Sequence, residues 1–217
     1  MPPTLDKAPK GPEERDLEVD AMPARQAVAP TITYDESKFT ELLLYVAKLM
    51  LDDPSNGSVK LNKVLFYSDF FHYAFYGSPI TGATYVKHPR GPAPRGIADL
   101  QHRHSDDMEL AVFRHGAHPN NILFPKREAD LTIFKGTEIA MVNSVFNALK
   151  GRSADDVSNM SHALQGWKAA REREEIPYYT IFLYDGPVTE ADIEDGQRIA
   201  QTLKSELESA GFAVAAS

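Results

Sequence analysis

The stretch from Ser58 to Tyr76, SVKLNKVLFYSDFFHYAFY, constrains this chain more than any other. Set at intervals of about 100°, Leu61, Val64, Leu65 and Phe75 share one side of a helix, while Phe66, Phe70, Phe71 and Tyr73 spread over most of the rest. A helix that is apolar nearly all round has to be enclosed by other elements. Gly77 supplies a left-handed C-cap, and Pro79 stands just beyond. Ser68, Asp69, His72 and Tyr76 follow one another at spacings that align them in a stripe, which allows Asp69 to bond His72. Mid-helix, the Ser68 hydroxyl is expected to bond the preceding turn.

Around this helix the chain reads as an α+β protein: a mostly helical single domain with a small antiparallel β element. At 217 residues and 42% hydrophobic, it can bury one core. Residues 1–33 are rich in Pro, Ala and charge without periodicity, and read as a flexible, disordered tail. The domain proper is expected over 34–188, followed by a C-terminal helix and short tail over 189–217. Phe39, Leu42, Leu43, Val46, Leu49 and Met50 define an amphipathic helix ending at DDPSNG, with Ser37 as N-cap and Glu41 near the first turn. TYV (84–86) predicts a short strand. In the following Gly/Pro-rich loop, Pro94 is expected to open a helix running through Leu100 to about Asp106. LAVFR and NILFP flank a turn and predict an antiparallel pair. Residues 130–150 predict a helix with Ile133, Phe134, Ile139, Val142, Val145, Phe146 and Leu149 on its apolar side. A second helix follows, capped by Ser153. YYTIFLYDG predicts a strand, and 189–209 a last helix.

Composition removes several functions. The chain has no cysteine, so disulfides, thiolate metal sites and cysteine nucleophiles are excluded. A net charge of −8 opposes general phosphate-backbone binding and makes nucleic acid a poor partner. No segment approaches membrane-spanning length and no signal peptide opens the chain, which implies a cytoplasmic protein without a membrane partner. No nucleophile elbow, phosphate loop, dinucleotide fingerprint or zinc-protease helix occurs. On a helix His102 and His104 would lie about 200° apart, too far round to share a metal. His102 with Asp106 would face one way but form an incomplete site. His88, His115 and His118 fall in loops or strand ends. Lys87, His88, Arg90 and Arg95 make a basic cluster around the Pro-rich loop, read either as a solvated face or as a site for an anion or acidic partner. No cofactor, metal or catalytic set is assigned.

The residues also carry a resemblance. VKLNKVLFYSDFFHYAFYGSPITGATYVKHPRGPAPRGIADL resembles the signature of the Panacea domain, the SocA-like antitoxin family, whose pattern runs from Lys-Leu-Gln-Lys to Tyr-Gly, Pro-Ile-Thr-Gly, Tyr and Gly-Pro-Val-Pro. Lys60, Leu61, Asn62 and Lys63 match its start. Tyr76, Gly77, Pro79, Ile80, Thr81, Gly82, Tyr85, Gly91, Pro92, Ala93 and Pro94 match the rest. MSHALQGWKAA is similar to the second family motif through Ser161, His162 and Trp167. The departures are Asn62 for Gln, Ala93 for Val, and His-Pro-Arg before Gly-Pro. The resemblance implies an antitoxin that neutralises a cognate toxin by direct binding, or one that delivers it to a protease as an adaptor; a phage-associated regulator with the same domain is a third possibility. It also suggests that Lys60, Lys63, Asp69, His72, Tyr76, His162 and Trp167 meet in one polar cluster, either securing the fold or lining a toxin groove with Gly77, Tyr85, Gly91, Pro92, Pro94 and Ser161. The competing class is a hydrolase using His72, His162 and Asp69.

Overall fold

The computed structural model describes residues 31–115 and 118–183, together with Glu190, Glu194, Arg198, Gln201 and Ser205. These five are helical and exposed. The rest of the expected last helix, and the expected tail as far as residue 30, lie outside the described residues. The account below concerns the unit beginning at Ile32.

Helix α1 spans Glu36–Met50 and buries Phe39, Leu42, Leu43, Val46 and Met50, as their spacing requires. Its N-cap is Asp35, not Ser37. Asp35 is extended and accepts the Lys38 amide at 2.9 Å, whereas Ser37 is already helical. Glu41 is no dipole partner either. It is nearly buried and grips Arg127 through two bonds of 2.6 and 2.8 Å, while also accepting the Asp130 amide.

Helix α2 spans Ser58–Tyr76 and ends at Gly77, whose φ of 74° closes the helix with a bond to the Tyr73 carbonyl. It packs against α1 and, further along the chain, against Ala93–Pro94, His118–Pro125, Gly136–Leu149, Ala154–His162 and Tyr178–Phe182. Its enclosure stops at His72. Phe75 is 76% exposed because the last turn runs past its neighbours. The Ser68 hydroxyl is buried and has no hydrogen-bond partner among the described residues, rather than bonding to the preceding turn.

Strands β1 (Tyr85–Val86) and β2 (Ala93–Pro94) form an antiparallel pair. Pro94 therefore lies in a strand, not in a first helical turn. The Arg95 amide extends the ladder to Thr84, and only after left-handed Gly96 does α3 (Ile97–Arg103) begin. Strands β3 (Met108–His115) and β4 (His118–Pro125) pair along their whole length, further than the two apolar runs indicate. Arg127 ties this hairpin to α1 and also bonds Asp107 at 2.7 Å.

The helix expected from residue 130 starts later. Asp130 closes a 3₁₀ turn at Leu131–Ile133, Phe134 is extended, and α4 occupies Gly136–Leu149. Ile133 is consequently exposed, while Val142, Val145, Phe146 and Leu149 enter the core. Helix α5 (Ala154–His162) begins with the expected Ser153 cap, reciprocated by Asp156, and α6 covers Gln165–Ala169. The expected strand near 178 is instead a 3₁₀ turn at Tyr178–Phe182, closed by Thr180 bonding the Pro177 carbonyl. Its first residue drops a ring onto Phe70 and donates to the Ala83 carbonyl, so local pairing with a strand gives way to packing. The product is a mostly helical α+β fold with two small antiparallel sheets among the described residues.

Candidate functional site

The two sequence motifs meet across the loop from Lys87 to Pro92. Tyr85 and Val86 lead into it and Ala93 and Pro94 leave it, so the β1–β2 pair holds its ends together. From below, the Lys63 ammonium donates to the Pro92 carbonyl at 2.9 Å. From α5, Ser161 lies against Gly91, where φ is +92° and an added Cβ would press on the Ser161 hydroxyl and come within 2.8 Å of Lys63 Nζ. Only glycine fits there. The Trp167 indole donates to the His88 carbonyl at 3.2 Å, His162 stacks on Trp167 at 3.9 Å, and Lys87 Nζ stands 4.2 Å above that indole while donating to the Ala170 carbonyl. These contacts clamp the loop from one side.

Asp69 anchors the segment before the loop. Its buried carboxylate accepts the Thr81 amide at 2.8 Å, the Thr81 hydroxyl at 2.6 Å and the Tyr85 hydroxyl at 2.8 Å. Burial raises the Asp69 pKa, and the three donors oppose that rise. Tyr85 is pushed well above its ordinary value, by burial first and then by the Asp69 charge.

The expected single polar cluster is thus several. Lys63, Gly91, Pro92, Ser161, His162 and Trp167 converge on the loop. Lys60 instead pairs with Asp53 at 2.8 Å, both side chains fully enclosed, and Asp53 also receives the Ser55 and Gly151 amides. His72 does not bond Asp69: Nδ1 donates to the Ser78 carbonyl at 2.6 Å and Nε2 lies 3.5 Å from the Thr137 hydroxyl. Tyr76 is exposed beside His72, and Gly77 serves only as a cap. Asp53, Thr81 and Tyr178 were missed as organising residues, since nothing local distinguishes a turn aspartate that receives a distant lysine.

Chemically, His72, His162 and Asp69 are not assembled as a triad. His162 approaches the Ser158 hydroxyl at 3.4 Å, and its pKa is lowered by burial and then by Lys63. A bond to the Pro89 carbonyl, rather than a carboxylate, orients that ring. Among the described residues no group of three or more His, Cys, Asp or Glu could hold a metal, and no helix is long and apolar enough to cross a membrane. His104 pairs with Asp107 rather than with His102.

What these elements define is a helical scaffold that fixes one shaped loop on an enclosed helix. Residues 61–168 match the family described as Antitoxin SocA-like, Panacea domain, and over that segment the chain belongs to this family. No curated protein and no solved structure matches significantly.

Proposed function

We propose that this protein is the antitoxin of a toxin–antitoxin pair, a non-enzymatic cytoplasmic protein that neutralises a cognate toxin by binding it. The match of residues 61–168 to a family named for its antitoxin carries the reading. The site supports it, because its polar side chains are spent on holding a loop rather than aligned on a reacting atom. The proposed domain of 34–188 is supported as far as the described residues reach, since α1 and Tyr178 lie outside the matched segment yet pack against α2.

The test is co-expression with the product of the adjacent gene. Growth arrest by that product alone, with rescue and co-purification of a stable complex, is the expected result. Rescue without a complex would favour delivery to a protease or catalytic detoxification; a harmless neighbour would remove the reading. Trp167→Ala refines it: the proposal expects a folded protein that no longer rescues, whereas a loss of folding would make Trp167 part of the framework only.

A further inference from the structure

Beside the clamped loop lies a cavity of about 370 Å³. Val59, Pro89, Pro94 and Ile97 give it apolar walls, and Lys63 and Arg90 contribute its cations. Lys63 is unusual. It is 1% exposed, one of its three N–H donors meets the Pro92 carbonyl, and it makes no ion pair among the described residues. An enclosed ammonium without a counter-charge is costly, and the single bond to the Pro92 carbonyl leaves two of its donors for a ligand. Among the described residues Arg90, at the rim, bonds Asp155 alone, with both side chains more than half exposed, a pair weak enough to exchange for a ligand.

We propose that this cavity is a receptor for a carboxylate carried on an apolar stem, the chemistry of a polypeptide C terminus ending in an aliphatic residue, with the acid directed to Lys63 and Arg90 and the stem against Val59, Pro94 and Ile97. In an otherwise acidic molecule this is a local reversal of sign, suited to one anionic group rather than to a phosphate polymer. Arginine provides a planar fork for the acid and lysine a point charge beneath it. The apolar walls favour a carboxylate with hydrocarbon attached over a bare anion. As an anchor for a toxin the cavity rests on the antitoxin reading; as a binding site it does not.

The experiment is titration of the full-length, isotopically labelled protein, followed through the Gly91 amide resonance, with N-acetylleucine, N-acetylleucinamide and inorganic phosphate as probes. N-acetylleucine is expected to shift Gly91 saturably and at least tenfold more tightly than the other two. Lys63→Met is expected to keep a melting temperature at or above the parent's and to lose that preference. Arg90→Gln, on the surface, is expected to weaken binding about tenfold and serves if Lys63→Met does not fold. Equal binding of acid and amide would leave only an apolar slot, equal binding of phosphate only a general anion site, and an unchanged affinity in both variants no role for the cations; each overturns the proposal, as does no binding at all. Because the probes are added to the isolated protein, failure here is separate from failure of rescue in cells.

Discussion

Lys60 and Lys63 lie one turn apart on α2, both withdrawn from solvent, and meet opposite electrostatic surroundings. Lys60 has Asp53; burial alone would raise that carboxyl, but the Lys60 bond and the Ser55 and Gly151 amides hold it below its ordinary value. Asp53→Ala would strand the ammonium and is expected to cost about 3–5 kcal/mol in urea denaturation, much of it recovered in the double variant with Lys60→Met. A loss below 1 kcal/mol would show the pair to be dispensable. Lys63 has no such partner, and its pKa is lowered to about 7, by burial first and then by Arg90. Between that value and the ordinary 10.5 the unfolded chain holds a proton that the folded one does not, so stability rises with pH across this window. The penalty is full below about pH 7. Nearby His162, its pKa held below the ordinary value, is already neutral in the window. Lys63→Met is therefore expected to stabilise the protein most at and below about pH 7, with the advantage shrinking toward pH 10; an advantage independent of pH would show that enclosure does not lower the lysine's pKa.

At the scale of elements, two glycines separate a local requirement from a tertiary one. Gly77 and Gly91 both have positive φ, yet a Cβ at Gly77 meets nothing within 4 Å while one at Gly91 meets Ser161 and Lys63. Gly77→Ala is expected to cost about 1 kcal/mol, the strain of a left-handed alanine. Gly91→Ala is expected to cost at least about 2 kcal/mol more, because the loop must leave its clamp. Trp167 is the sole tryptophan and bonds the loop at His88, so its emission should shift in Gly91→Ala and not in Gly77→Ala. Equal stability and identical emission would mean that the loop is not held as described. The Ser153 and Gly77 caps were legible because a cap depends on a few adjacent residues. Pro94 and the 178–182 turn were not, since a short segment follows whichever neighbour it packs against.

For the whole molecule, the relevant quantity is the net charge of −8. If the proposed toxin is basic, long-range attraction should steer the encounter, and the association rate measured by stopped flow is expected to fall several-fold between low and physiological salt. A rate indifferent to salt would exclude steering and leave short-range fit as the determinant. Periodicity alone determined that α1 is amphipathic and that α2 must be enclosed, and the two motifs in order identified the family. What only the tertiary structure decided is how the polar residues are shared out. Spacing on α2 allowed Asp69 to reach His72, but Thr81 and Tyr85 take the carboxylate and Ser78 takes the ring. Hydrophobic pattern is a property of one segment and can be read along it. A buried polar group takes whichever partner the fold brings within about 3 Å, and that partner commonly lies in another segment of the chain.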